Sequence, residues 1–467
     1  MSSNKITIRK LTKKLIKTNN AHNAHNAHNN HNVKRKEMRG GKYLGQGSFG
    51  CVITPALKCN KFSLFSNSSK SSKNNKHNTK ISKIVLAENK GIREEININY
   101  KLKKIDPAMA YFITIDEFCK IKDIPKDRSN IITVKYKHKE QNNSYNSDYD
   151  AYNNNTSIIN DRYDKNKYVK MQTKKLDKKY CPVDLATNPI NIIMPFGGYD
   201  LFDIMYSIDV YQFKPTNTLH PSILQTTSKD NTILIQQYIA HMLYTNLKHY
   251  LKHLLYGIYK MHKNRIVNRD IKPENIMVKY NKESNKLNIR FIDFGLSEEL
   301  TNEYCTDYSN IGYAGTSEYI PLDVFIMDNI IKYLDDKSLN DDDIKKNIDK
   351  HMKSQLSIFK DLNINTSNYK YARDKLYNEY KTLYNNNEKQ KILNKYFGIT
   401  HILDGNIQKQ DIIGLGVTIY KFINLYNNVT KRKPNIQLFD LLNHMIDIDP
   451  EKRYNVIKCL NHPYLQK

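Results

Sequence analysis

The most regular apolar pattern in the chain lies between residues 247 and 261. There Leu247, Tyr250, Leu251, Leu254, Ile258 and Met261 recur at three- and four-residue spacing and predict a helix with one face on a core. A second amphipathic run from Gly91 sets Glu95 in register with Ile98 and Leu102, so a carboxylate shares the buried stripe of its helix. Elsewhere the apolar runs shorten to strand length: Tyr43-Leu44 and Val52-Ile53 on either side of a glycine turn, Ile190 to Met194, Ile276 to Val278, and Phe291-Ile292. In Thr79-Lys80-Ile81-Ser82-Lys83-Ile84, strand alternation puts Ile81 on the face of Lys83 and Asn78 on the face of Lys80.

Three stretches carry no such pattern. Residues 1–42 contain the repeat AHNAHNAHNNHN, residues 56–80 are rich in Ser, Asn and Lys, and residues 121–187 include Asn153-Asn154-Asn155. Such composition cannot bury enough apolar surface to offset its ordering entropy, so the expectation is a basic tail over 1–40 and two inserted loops. The three stretches carry 21 of the net 27 positive charges of the 467-residue chain, which leaves a mildly basic core and suggests that the tail attracts polyanions or acidic partners. A fourth stretch, 324–405, is acidic at Asp341, Asp342 and Asp343 and reads as helical.

The six cysteines form no CxxC pair, so free thiols, a reducing compartment and no zinc module are expected. No apolar run reaches the ~18 residues of a membrane span, and the Lys-rich start lacks the apolar stretch of a signal peptide. The expectation is a soluble, intracellular protein that is not secreted.

The chemistry gathers in a few short segments. Gly45-Gln-Gly47-Ser48-Phe49-Gly50, flanked by Leu44 and Val52, reads as strand, glycine turn, strand; glycines let backbone N–H groups approach phosphate oxygens without a Cβ in the way. Alone the motif is weak. Asp270, Lys272 and Asn275 stand at spacings of two and three, and 18 residues later Asp293 ends another apolar run in Phe291-Ile-Asp-Phe-Gly295. A carboxylate to take a hydroxyl proton, an ammonium for developing charge, and an amide with a second carboxylate for a divalent cation are the set that phosphoryl transfer needs.

With these residues in view, the sequence resembles the eukaryotic-type serine/threonine protein kinase superfamily: a glycine-rich loop, an HRDxxxxN-type loop and a DFG motif. Its Lys- and Asn-rich texture and inserted loops, with Asp106-Pro107 and Tyr111-Phe-Ile113, also resemble serine/threonine kinases of giant DNA viruses, which would make the protein cytoplasmic or virion-associated. The resemblance implies an α+β, two-lobed fold. A small β-rich lobe would span 41–196, interrupted at about 56–80 and 121–187, and a larger helical lobe 197–467, interrupted at about 324–405. It implies ATP and Mg2+ as cofactors and protein Ser or Thr hydroxyls as substrates.

By the same resemblance Asp270 is the catalytic base, Lys272 steadies the transferred phosphate, and Asn275 and Asp293 hold magnesium. The nucleotide would lie under Leu44, Gly45, Gly47, Ser48, Phe49, Gly50 and Val52. Met194 would be the gatekeeper and Gly197 a hinge donor. Since no VAIK is present, the ATP-pairing lysine is Lys83 or Lys80; the alternation favours Lys83, with Glu95 as its helix partner. Thr316 would help to read a hydroxyl substrate.

Asp411 resembles the helix aspartate that anchors the HRD-type loop, with Ile413 where the family usually has Trp. Asp449-Pro-Glu-Lys-Arg453 reads as a helix start, and the resemblance implies that its arginine pairs with Asp323, one methylene shorter than the glutamate the family usually has there. Arg269 suggests that a phosphate on Thr306, Tyr308 or Ser309 switches the segment 293–323, although the position three before Gly315 is Gly312. Asn268 stands where the family has the HRD histidine. Two other readings stay open, a pseudokinase scaffold and a basic nucleic-acid-binding or virion-packing protein.

Overall fold

A computed structural model describes residues 42–47, 50–54, 56–57, 80–85, 91–120, 190–211, 213, 229–334, 336, 338–362, 364, 366–401 and 403–466. The expected tail and nearly all of the two inserted loops lie outside these residues, as do Ser48 and Phe49. Strands β1 (Lys42–Gly47), β2 (Gly50–Thr54), β3 (Lys80–Val85), β4 (Glu117–Lys120) and β5 (Ile190–Pro195) form an antiparallel sheet in the order β1-β2-β3-β5-β4. Gly47 faces Gly50 across the first hairpin, and the register sets Lys83 opposite Val52 on one side and Ile192 on the other.

Helix α1 (Gly91–Ile105) lies between β3 and β4 in the chain. It buries Ile92, Glu95, Ile98, Asn99 and Leu102 at helical spacing, the stripe that the sequence pattern gave to Glu95. After it, the Asp106 carboxylate accepts backbone N–H groups from Ala110, Tyr111 and Phe112 at 2.7 to 3.1 Å and closes a tight turn. That turn sends Phe112 into the interior, edge-on to Phe294 with ring centroids 6.0 Å apart. The sheet region and the helical region are joined there, where Phe112 also bridges to Phe291.

Past β5, the chain forms β6 (Tyr199–Asp200), α2 (Leu201–Asp209), α3 (Lys229–Thr245), α4 (Leu247–Lys263), β7 (Ile266–Val267), β8 (Ile276–Asn281), β9 (Lys286–Phe291), β10 (Glu298–Glu299) and the short α5 (Asn302–Thr306). Helix α4 buries all six residues of the expected stripe. Strands β6, β8 and β9 form a small antiparallel sheet, and β7 pairs with β10. Then follow α6 (Leu322–Tyr333), α7 (Asp341–Asp361), α8 (Tyr369–Asn385), α9 (Lys389–Phe397), α10 (Asn406–Thr430), α11 (Ile436–Met445), α12 (Val456–Leu460) and α13 (Pro463–Gln466).

Among the described residues, two of the hydrophobic cores hold the helices that follow β5. One surrounds α4 and α10 and includes Leu254, Ile258, Phe291, Ile413 and Phe422. The other joins Val267, Ile320 and Phe325 to Ile348, Tyr377 and Tyr396, residues of α7, α8 and α9. Helix α7 starts on a capping box of Asn340 and Asp343, and its acidic first turn complements the positive end of the helix dipole. The acidic cluster of the sequence is thus a helix start.

Two expectations are changed. Asp449-Pro-Glu-Lys-Arg453 begins no helix: Asp449 accepts the Glu451 N–H at 3.1 Å in a turn, and α12 begins at Val456 with Asn455 as its cap. Among the described cysteines Cys305 and Cys459 are free and buried, whereas Cys119 is disulfide-bonded.

Candidate active site

The sheet and helical regions meet at Lys83. Its ammonium lies 2.8 Å from Glu95 Oε1 and 3.1 Å from Asp293 Oδ1, linking β3, α1 and the segment after β9. Lys80, three residues earlier and on the opposite face of β3, is half exposed and pairs instead with Asp116 at 3.0 Å. Burial works against the charge of Lys83, but the Asp293 and Glu95 carboxylates outweigh it and hold the ammonium well above its ordinary range. Burial would raise Asp293 as well; Lys83 and then Lys272 overcome that and keep its carboxyl below the usual carboxylate range.

The loop after β7 presents the remaining groups. Asp270 Oδ1 accepts the Thr316 N–H at 3.0 Å and the Thr316 hydroxyl at 2.9 Å. Its Oδ2 lies 2.8 Å from the Lys272 ammonium and takes an Asn275 N–H at 3.0 Å. Lys272 also donates to Thr316 Oγ1 at 2.9 Å, so Asp270, Lys272 and Thr316 close a polar ring. Asn275 commits its amide nitrogen to Asp270, at the carboxylate and at the backbone carbonyl, which leaves its side-chain oxygen suited to a hard cation. Asp293 has φ 58° and Arg269 φ 70°, left-handed conformations that non-glycine residues hold only when their surroundings enforce them.

The enforcement at Arg269 can be traced. Asp411, on α10 and fully buried, accepts the Asn268 N–H at 2.9 Å, the Arg269 N–H at 2.7 Å and a contact from His262 Nε2 at 2.9 Å. Gln410 donates to the Arg269 carbonyl at 2.8 Å. The Asn268 side chain, where the resembled family has histidine, accepts the Asp270 N–H at 3.0 Å and so braces the loop from within. Gly315, φ 114°, faces the Arg269 carbonyl so closely that an added Cβ would lie 2.2 Å from it. The Arg269 guanidinium donates to the Gly312 carbonyl at 3.0 Å and stands 3.6 Å from Glu298.

The other expected positions are set around this centre. Met194 lies opposite Ile81 in the register of β5 and β3, and Val52 opposite Lys83. Gly197 is packed so tightly that a Cβ would meet Ile113 Cδ1 at 2.6 Å. For Leu44, Gly45, Gly47 and Gly50 the backbone of the hairpin is described, with a register shift between Tyr43 and Gly45. Arg453 and Asp323, both fully buried, meet at 2.8 Å. His262 and Gln410 carry no motif in the sequence, and Asp106 and Phe112 stand out there only as part of the family texture; a histidine four residues past Ile258 on the buried stripe of α4 is the one local signal for His262.

Three carboxylates gather beside this loop. Asp200 caps α2 by accepting the Asp203 N–H at 2.7 Å. Burial, then the charges of Asp203 and Glu274, push its carboxyl up to about 8. A carboxyl raised in the folded state lends stability below its ordinary value near 4, and that stability is lost as pH rises through about 8. Asn caps a helix as well as Asp and carries no charge. Asp200→Asn should therefore raise the thermal midpoint above pH 8, by roughly 1 kcal/mol of stability, and give no gain near pH 3, below the ordinary value. Equal gains at both pH values in a melting series would contradict this electrostatic origin.

Residues 204–336 match the family model of the protein kinase domain. Over 74 residues the chain is 43% identical to calcium-dependent protein kinase 4 of Plasmodium falciparum, covering 16% of this chain and 13% of that protein. Over 120 residues it is 28% identical to the serine/threonine-protein kinase CAK1 of Saccharomyces cerevisiae, covering 25% of this chain and 32% of the yeast protein. These alignments span less than a third of each of these relatives. Together the matches show similarity to the protein kinase superfamily. Helices and small antiparallel sheets are what such an α+β domain contains, and no helix among the described residues is long and apolar enough to cross a membrane.

Proposed function

We propose that the protein is a two-lobed, ATP-dependent serine/threonine protein kinase. One observation carries the reading: Lys83 is tied at once to Glu95 and Asp293, within a site where Asp270, Lys272, Asn275 and Thr316 are already hydrogen-bonded to one another. A buried ammonium held by two carboxylates from distant parts of the chain is fixed in place before any ligand arrives. It can therefore offer its remaining donor capacity to phosphate oxygens at little further ordering cost.

In this mechanism Asp270 orients a serine or threonine hydroxyl and takes its proton as the oxygen attacks. Lys272, 2.8 Å from Asp270, supplies positive charge where negative charge develops on the transferred group. Asn275 and Asp293 offer an amide oxygen and a carboxylate, hard ligands of the kind Mg2+ takes when it arrives with a nucleotide; the cation would neutralise phosphate charge. Gly45, Gly47 and Gly50 would cover the phosphates with backbone N–H groups, and Gly197 would donate to the base. Thr316, bonded to both Asp270 and Lys272, supports Ser/Thr rather than Tyr as acceptor, because a small side chain there would lie beside the attacking hydroxyl.

The test is incubation with γ-labelled ATP and magnesium on generic basic and acidic protein substrates, followed by phosphoamino-acid analysis. Label on Ser and Thr is the expected result. Label on Tyr alone would overturn the specificity, and nucleotide binding without any transfer would favour the scaffold reading.

A further inference from the structure

The position of Asp270 depends on Thr316, which gives its carboxylate two hydrogen bonds. Thr316 in turn follows Gly315, whose close approach to the Arg269 carbonyl requires the segment before α6 to lie flat on the loop. Something must press it there, since an irregular segment has no ladder of backbone bonds of its own.

Two buried side chains from the helices after α6 grip the segment on either side of Thr316. Upstream, the Tyr396 hydroxyl on α9 donates to the Gly312 carbonyl at 2.5 Å and accepts the Gly312 N–H at 3.4 Å. The same carbonyl takes the Arg269 guanidinium, so α9, the segment and the loop carrying Asp270 converge on one oxygen. The adjoining Tyr313 ring stands against Phe325 and His351, with centroids 4.9 and 5.0 Å away. Downstream, the Gln355 amide on α7 donates to the Glu318 carbonyl at 3.2 Å and the Ile320 carbonyl at 3.0 Å. Tyr396 and Gln355 are 0% and 1% exposed. A buried glutamine is costly unless hydrogen-bonded, and both donors of this one are spent on the segment.

We infer that α7–α9 form a built-in clamp that orders the segment without any phosphate, with Tyr396 and Gln355 as positioning residues acting on Asp270 through Thr316. The inference rests on the kinase reading above. In an arrangement of this kind the side chains that order the segment belong to the chain itself and are present from the moment it folds. Neither residue touches the reacting groups, so loss of either one loosens the geometry of Asp270 and leaves the nucleotide contacts around Lys83 alone.

The experiment uses the full chain, treated with phosphatase, and compares it with Tyr396→Phe and Gln355→Met, which keep volume and remove the hydrogen bonds. Each variant is expected to lower kcat about tenfold with KM for ATP within about twofold of the parent. Amide hydrogen exchange over 312–319 should quicken while α4 keeps its protection. A kcat within twofold of the parent for both variants would overturn the clamp. So would a fall no larger than the unfolded fraction measured by thermal melting, or a parent that works only when phosphorylated between 304 and 316. If the parent transfers no phosphate at all, the kinase reading has failed instead. Exchange then decides alone: unaltered exchange over 312–319 in both variants would sink the clamp.

Discussion

Asp270→Asn is expected to lower phosphate transfer by roughly 10²–10⁴-fold while leaving nucleotide affinity nearly intact. The amide keeps the shape of the side chain, and its one oxygen can meet either Thr316, bound at Oδ1, or Lys272, bound at Oδ2, but it cannot take a proton from an attacking hydroxyl. Its nitrogen would face either Thr316 or the Asn275 amide, donors both, so one hydrogen bond is also lost. The measurement is steady-state transfer to protein substrate alongside direct titration with a fluorescent ATP analogue. Equal turnover by parent and variant would remove Asp270 from the role. A variant that bound nucleotide far more weakly would place Asp270 among the nucleotide ligands.

Arg453→Met should destabilise the fold by about 3–5 kcal/mol, or roughly 5–10 °C in thermal midpoint. Arg453 and Asp323 are each 0% exposed in their side chains. The guanidinium also donates to the backbone carbonyls of Asp447 and Ile448, at 2.8 and 3.2 Å. Removing the cation leaves the Asp323 carboxylate buried with no counter-charge, and it must be protonated or wetted at a cost. Adding Asp323→Leu to Arg453→Met should recover much of the loss, because the expensive species is the lone charge rather than the missing pair. Chemical denaturation of the parent, the single variant and the double variant tests this; a double variant no better than the single would show that the backbone bonds of Arg453 dominate.

What was legible in the sequence follows from how far each signal reaches along the chain. The stripe of α4 and the register of Glu95 are local repeats that survive into the structure because one face of each helix is buried. Alternation favoured Lys83 over Lys80, but what separates the two is depth along the strand: β3 is exposed at Lys80, half-buried at Ile81 and buried on both faces from Ser82 to Val85. The motif residues Asp270, Lys272, Asn275 and Asp293 come together as their spacing suggested. The Asp449 segment was misjudged because its local chemistry fits a helix start equally well. Asp449 does accept the Glu451 N–H two residues on, and the Arg453 N–H closes one turn on its carbonyl, but the chain does not go on into a helix until Val456. Tyr396 and Gln355 left no trace to read, since their partners are backbone carbonyls, and a carbonyl has no sequence signature.

The distances along the chain that these contacts span bear on how the protein is made. Lys83 and Asp293 are 210 residues apart, Arg269 and Asp411 142, and Asp323 and Arg453 130. Closing loops of that length costs entropy before the contacts repay it, so chains rich in such contacts fold slowly. On a ribosome adding about 5–20 residues per second, Lys83 cannot meet Asp293, nor Asp323 meet Arg453, until the later residue of each pair has emerged. For several seconds before that, the strands around Lys83 would be present with no Asp293 docked beside them, and α6 with no partner for Asp323. A nascent chain in that interval shows unpaired charge and uncovered apolar surface together, which makes it a natural client for chaperones that bind during translation.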